Sequence, residues 1–350
     1  MRVLFIGGTG LISSASTTLA LARGIDLTLV NRGRSPKADV PAGAAHLVAD
    51  IHDVEAFRSA LREDVEAHGR YDAVVQWIAF TPEHVALDIE TFADLTDQYV
   101  FISSASAYET PPSHYLARED TTPLDNPYWQ YSRDKAEAER ILQQAGRERE
   151  FPFTIVRPSH TYGYPDFPLA ITSPAHPWTI VDRIRAGKRF IVHGDGTSLW
   201  TVTDHRDFAV GLVGLLGNDK ALREDFHITS DDVLTWNQIY EYVADAIGVS
   251  RTDLADQAVH IPSELLVRLD RDAFEGPLMG DKMHAGVFDN AKLKAAVPDF
   301  APVHTFKESV KETVAWFEAD PSRRSIDDDA NALWDDITDR YVAATDALLR

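Results

Sequence analysis

The stretch Val3-Leu4-Phe5-Ile6-Gly7-Gly8-Thr9-Gly10-Leu11-Ile12-Ser13 decides the fold of this 350-residue chain. Its four consecutive apolar residues read as a strand buried on both faces. The Ala-, Leu- and Thr-rich run from Leu11 to Arg23, stopped by Gly24, reads as the helix that follows. Between the two, one glycine takes the tight turn and another lets backbone approach a pyrophosphate at the helix N-terminus. Gly7, Thr9, Gly10, Leu11 and Ile12 are therefore the expected phosphate cradle. A glycine string alone is a weak signal, and its place between strand and helix makes it a strong one. Ser13 stands where a third glycine is usual, at the position that governs how closely helix packs on strand, and serine is small enough to fit.

Outward from this unit the alternation continues. Strands are expected at Leu27–Val30, His46–Ala49, Ala73–Trp77, Tyr99–Ile102 and Phe153–Val156, with helices at Val54–Ala67 and about Tyr128–Gln144. Six short apolar runs separated by helices predict an α/β fold with a doubly wound parallel sheet. Residues 1–157 then form the nucleotide-binding domain. Residues 158–323, where proline becomes frequent, form mainly a smaller substrate-binding lobe, with Phe226–Thr229 returning as a strand to the main sheet and a helix after it at Trp236–Ala246. Residues 324–350 predict a docked amphipathic helix with Leu333, Trp334, Ile337, Tyr341 and Val342 on one side.

Composition excludes several function classes. Lys+Arg 34 against Asp+Glu 55 leaves a formal charge of −21, the wrong sign for a general nucleic-acid footprint or an anionic membrane surface. With no cysteine there are no disulfides, no thiolate catalysis and no cysteine zinc site. No apolar run approaches the roughly 20 residues of a membrane span, and the N-terminal sequence lacks a signal-peptide layout, so the expected compartment is the cytoplasm. His193 and His205 lack metal-ligand spacing with Asp195 or Asp207, and no metal is expected. Asp327-Asp328-Asp329 reads as a solvated run or a helix start.

Two further patterns carry chemistry. The second strand ends in Asn31-Arg32-Gly33-Arg34, where NAD enzymes commonly place an acid for the ribose 2′-hydroxyl. With guanidinium groups and no carboxylate, a 2′-phosphate and hence NADP is favoured over NAD. Asp50 and Ile51, ending the third strand, are placed to flank the adenine. Tyr131 and Lys135 lie one helical turn apart on one face, and a neighbouring ammonium lowers a phenol pKa toward a range useful for proton transfer. Ser103-Ser104-Ala105-Ser106 sits at the carboxyl end of the fifth strand, where ligands of open α/β sheets bind.

Loop, serine and Tyr/Lys pair, in this order, resemble the extended short-chain dehydrogenase/reductase family of NAD(P)-dependent epimerases, dehydratases and reductases. Arg157-Pro158, Tyr162-Gly163, Gly194-Asp195-Gly196-Thr197 and Asp207-Phe208-Ala209 extend the resemblance over roughly residues 1–320. It implies a Rossmann-type sheet, with Tyr131 as general acid/base and Lys135 binding the nicotinamide ribose while lowering the tyrosine pKa. Ser104 would polarise the reacting oxygen, with Ser103 and Ser106 as neighbours of the same kind. Trp77 and Ile78 would line the cofactor cleft and Pro158 would approach the nicotinamide. The reaction implied is hydride transfer at a secondary alcohol or ketone of a sugar-like substrate.

Three departures narrow this. Ser104-Ala105-Ser106 stands where the 4,6-dehydratases carry Thr-Asp-Glu, Trp200 where nucleotide-sugar members carry an arginine for the diphosphate, and His160 where an asparagine often contacts it. Arg183, Arg185 and Arg206 are the nearby cations that would replace the missing charge, and Ser106, His160 and Trp200 are the expected substrate contacts. An NAD-retaining nucleotide-sugar epimerase is the alternative within the family, and a catalytically silent nucleotide-binding scaffold is the alternative of another class. The resemblance also implies a homodimer packed through helices at about Glu83–Leu95 and Tyr128–Gln144.

Overall fold

The computed structural model describes residues 1–33 and 40–350. Seven strands form the central sheet: β1 (Arg2–Ile6), β2 (Asp26–Asn31), β3 (Ala45–Val48), β4 (Ala73–Gln76), β5 (Tyr99–Ile102), β6 (Phe153–Pro158) and β7 (Glu224–Ile228). Their order is β7-β6-β5-β4-β1-β2-β3 and every pairing is parallel. Parallel neighbours require crossovers, and these put helices on both faces. Val3 to Ile6 of β1 are fully buried, each side chain contributing about 1.5–3 kcal/mol. The expected return of the chain to the main sheet is made by β7, which pairs with β6 from Glu224↔Thr154 to Ile228↔Pro158.

On one face lie α1 (Leu11–Ala22) and the helix His205–Leu215, whose Phe208 and Leu212 pack on Phe5 and Val75. On the other lie α2 (Val54–His68), α3 (Pro82–Phe92) and α4 (Gln130–Arg149), contributing Leu61, Phe92 and Leu142 to a second core. Local chemistry sets these helices. The Asp53 side chain accepts the Ala56 N–H to start α2, a cap contributing about 1 kcal/mol. The strand order reverses between β1 and β4, so a crevice opens there at the carboxyl ends of the strands.

The remaining chain builds a lobe over those ends. Its own aromatic core includes Phe167, Trp178, Trp236, Tyr240 and Phe317, and Trp334 and Ile337 of the helix Asp328–Leu348 dock into it, buried as their spacing predicts. Asp327 caps that helix by accepting the Ala330 N–H, so the acidic run is a helix start. Far along the chain, Val287–Phe288 pairs with Leu116–Ala117 and carries the segment before it over the end of β5. Among the described residues no helix is long and apolar enough to cross a membrane, and no cluster of metal-binding side chains occurs.

Candidate active site

The turn between β1 and α1 has the form of an anion cradle. Gly8 has φ +101°, and a Cβ there would stand 2.9 Å from Leu29 Cδ2, so the turn can lie against β2 only as glycine. Two α1 side chains tie the loop from below: Ser13 Oγ accepts the Gly10 N–H at 2.8 Å, and the Thr17 hydroxyl donates to Gly8 O at 2.7 Å. Serine in the place of the third glycine thus supplies a loop anchor. The first amides of α1, at Leu11 and Ile12, have no partner within a helix and are the donors such a site offers. Trp77 and Ile78, half-buried after β4, flank the loop, and a Cβ on Gly7 would come within 3.3 Å of Trp77 Cβ. The buried Trp77 Nε1 has no partner among the described residues. A cradle that side chains would fill, beside an orphaned donor, fits a dinucleotide.

At the adenine end, Asn31 Oδ1 accepts the Gly33 N–H at 2.8 Å and meets His46 Nε2 at 3.0 Å. Arg32 is exposed, Asp50 is exposed with its carboxylate accepting the His52 N–H, and Ile51 is half-buried. Arg34 lies outside the described residues. His46, which the sequence did not single out, joins this strand end only through the β2–β3 pairing.

Lys135, 1% exposed on α4, donates to the carbonyls of Ala79 and Ile102, both at 2.7 Å. Burial pulls its pKa down to about 7, opposed by the carboxylate of Glu139 one turn on. Tyr131 lies one turn earlier, with Lys135 Nζ 5.7 Å from its ring centroid. Burial raises the Tyr131 pKa, the Ser104 hydroxyl opposes that rise, and Asp281 adds to it. The lowering expected from Lys135 is not what this arrangement holds: the amine is turned to two carbonyls, and burial disfavours its own charge.

Of the three serines, Ser104 is the one beside the tyrosine. Its Oγ lies 2.9 Å from Ser106 Oγ, which accepts from the Ser132 hydroxyl at 2.8 Å. Ser103 turns the other way and donates to Glu139. Glu139 is fully buried and paired with Arg157, which also bonds the Tyr108 hydroxyl at 2.9 Å and Asp225 at 2.6 Å. The loop bearing Ser104 is therefore anchored at both ends, through Ser103 and through Tyr108, on one buried guanidinium.

Ser104, Ser106, Tyr131 and Pro158 face a cavity of about 320 Å³ that His160 and Trp200 also line. Burial and Lys282 hold the His160 ring neutral, its pKa well below the usual range. The far wall comes from Asp281 to Phe288, residues the sequence did not single out. The legible signal for them was glycine. A Cβ on Gly276 or Gly280 would stand 2.5 or 2.9 Å from the Trp129 side chain, so this π-helical turn seats that tryptophan just before α4. Asn126 then clips the walls together, donating to Ser106 O at 2.7 Å and Gly280 O at 2.6 Å.

The expected replacement of the diphosphate-binding charge does not occur. Arg183 is buried against Asn331 and Asp335, Arg185 pairs with Glu318, and Arg206 pairs with Asp204 and Glu312 at 2.8 Å each. None of the three lines the cavity. Each is satisfied by carboxylates from the same lobe, and of these only Asp204, two residues from Arg206, lies in the local sequence.

Residues 3–228 match the NAD dependent epimerase/dehydratase family, from the first residues of β1 to the last of β7. The chain belongs to that family. Among curated members of related sequence, the chloroplast stem-loop binding protein of 41 kDa b of Arabidopsis thaliana is 27% identical over 265 residues, 72% of this chain. The match spans 65% of the plant protein's length. The 2'-dehydrokanamycin reductase of Streptomyces kanamyceticus is 23% identical over 248 residues, 71% of this chain and 67% of that protein. The dTDP-glucose 4,6-dehydratase of Bacillus anthracis, solved in complex with NAD, shares the fold at a TM-score of 0.69 and 17% identity, over 92% of this chain and 98% of that one. Family membership supports a nicotinamide cofactor, for which the glycine cradle is the candidate site, and leaves the choice of phosphate, substrate and reaction to this chain's own residues.

Proposed function

We propose that this family member is an NAD(P)-dependent oxidoreductase, with NADP as the preferred and exchangeable cofactor, acting at a secondary alcohol or ketone of a sugar-like substrate. The observation that carries the reading is the convergence of Ser104 and Tyr131 on one cavity beside Pro158, with Lys135 one turn below. The nicotinamide, when bound, supplies or accepts the hydride. Ser104 donates to the substrate oxygen and fixes its distance from Tyr131. The Tyr131 phenol, kept protonated by burial, passes its proton to that oxygen as negative charge develops on carbon's reduction. Lys135 is held between the ends of β4 and β5 by donating to the carbonyls of Ala79 and Ile102, and its protonated amine keeps a third N–H for a ribose hydroxyl. A protonated phenol is the form that gives up a proton in the direction of reduction, and it takes that proton back in oxidation. The reductase name of the Streptomyces relative, and Asn31 with Arg32 in place of an acid, support the direction of reduction and NADP.

The second reading, a silent scaffold, draws on the stem-loop binding name of the plant relative. A single experiment separates the readings. Freshly purified protein is denatured and any nicotinamide identified, and the refilled protein is assayed with NADPH and keto-sugars, wild type against Tyr131→Phe. The proposal expects no stoichiometric NAD, tighter binding of NADP than of NAD, and a loss of about 100-fold or more in kcat in the variant. Stoichiometric tightly held NAD points to the internally cycling epimerase, and binding of neither cofactor leaves the scaffold. The homodimer belongs to the proposal too, through the outward faces of α3 and α4, and light scattering tests it. Those faces bear Glu83, Glu90, Glu137 and Arg140, so dimer contact there is predominantly polar.

A further inference from the structure

The charges and polar atoms of the cavity select its substrate, an inference that rests on reading this cavity as the substrate site. Apart from histidines and tyrosines, the ionisable side chains that line it among the described residues are Glu109, Asp281 and Lys282. Lys282 Nζ is already paired with Asp281 at 2.8 Å, and both side chains are largely buried. Its backbone is fixed as well, since the Lys282 carbonyl meets His193 Nε2 at 2.9 Å and accepts the Trp236 N–H at 3.1 Å. Glu109, its pKa held low by the Ser113 hydroxyl and amide, is then the uncompensated charge among the described lining residues, and Arg183, Arg185 and Arg206 are spent elsewhere. Among the described residues, a diphosphate would meet the uncompensated carboxylate of Glu109 and no unpaired lysine or arginine.

The same walls carry atoms that want a neutral polar partner. Trp200 is 4% exposed, and its Nε1, like His160 Nδ1, is buried with no partner among the described residues. An indole N–H only donates, and a neutral imidazole can donate or accept, so hydroxyls satisfy both. Trp129, Trp200 and Phe288 offer the apolar faces against which a ring's C–H edges pack.

We infer that the cavity takes a phosphate-free polyhydroxylated ring, with an amine-bearing ring preferred over its neutral analogue, and that Glu109 reads the amine. The test is calorimetric titration of glucosamine, 2-deoxystreptamine, glucose and UDP-glucose into the full chain, with and without NADP. The amine-bearing probes should bind about tenfold or more tightly than glucose, the scale of a charge-assisted hydrogen bond, and more tightly than UDP-glucose. Asp281→Asn should raise UDP-glucose affinity, because Lys282 is left unpaired; Glu109→Gln should reduce the amine preference. A variant that merely misfolds loses all four ligands, so a gain for UDP-glucose is diagnostic, and a thermal melt of each variant reads its folding. Tighter binding of UDP-glucose by wild type overturns the inference, as does an amine preference untouched in Glu109→Gln or no heat with either amine-bearing probe. Failure to bind nicotinamide dinucleotide would sink the oxidoreductase reading instead, and the titrations without NADP report the cavity's selectivity regardless.

Discussion

Removing the guanidinium beneath the loop that bears Ser104 should uncouple that loop from the sheet. Arg157, 2% exposed, is the counter-charge for Glu139 at 0% exposure, and breaking a buried pair from one side costs about 3–5 kcal/mol. Asp225 is spared much of this cost in Arg157→Leu, because Lys292 lies 3.2 Å from its carboxylate. Glu139, left with the Ser103 hydroxyl and the Lys135 amine whose own charge burial disfavours, is not spared. Arg157→Leu should therefore lower stability by about 3–5 kcal/mol, and Glu139→Gln by a smaller amount because Arg157 retains Asp225 and Tyr108. The double variant should cost less than the two singles together by about 1.5 kcal/mol or more, since neither charge is then stranded. Urea unfolding followed by tryptophan fluorescence measures all four proteins, and turnover measured in parallel reports Ser104 and Tyr131 placement. Additivity within about 0.5 kcal/mol would refute the reasoning, because it would mean that the pair is not coupled.

Three other outcomes follow from the same structure. Lys135 carries a proton in the unfolded chain up to about pH 10 but in the folded protein only to about 7, so its contribution to stability grows as pH rises from 7 toward 10. Lys135→Met should flatten melting temperature against pH over that window, by up to about 1.4 kcal/mol per pH unit, and an unchanged slope counts against a neutralised amine. Asp88 is fully buried with its pKa raised to about 6, so it contributes stability below about pH 4 that is lost as pH passes 6. Because Gln76 and the Tyr99 hydroxyl both donate to its Oδ2, Asp88→Asn keeps an acceptor for both and should be more stable at pH 7.5, by up to about 3 kcal/mol; a melt showing destabilisation refutes this. Asn31→Asp preserves the acceptor for Gly33 N–H while adding a charge that a 2′-phosphate repels, so the ratio of NADP to NAD affinity should fall about tenfold or more in a competitive binding assay, and an unchanged ratio would place the 2′-position elsewhere.

The strands and helices around residues 3–157 were legible because each is set by near neighbours: an apolar run, a capping side chain, a glycine at a turn. Tyr131, Ser104 and the phosphate loop were legible for the same reason, since spacing along a helix and position after a strand give their placement. Other residues carry no such local mark. Asp281 and Lys282 reach the cavity through a pairing between Leu116–Ala117 and Val287–Phe288, and Ser103 was separable from Ser104 only once Glu139 was seen to take its hydroxyl. The direction of the Tyr131 shift likewise depends on burial, which is a property of the packed site.

By itself, then, the sequence determined the alternating architecture, the glycine cradle, the Tyr/Lys pair and the absence of cysteine chemistry, all consequences of local backbone geometry and side-chain type. Tertiary structure decided which charges remain available. Arg183 finds Asp335, Arg185 finds Glu318, Arg206 finds Glu312, and Lys282 stays paired with Asp281 inside the cavity. The three arginine pairs span more than a hundred residues and form only in the folded lobe, because Coulomb attraction and burial act through space and leave no periodic trace along the chain.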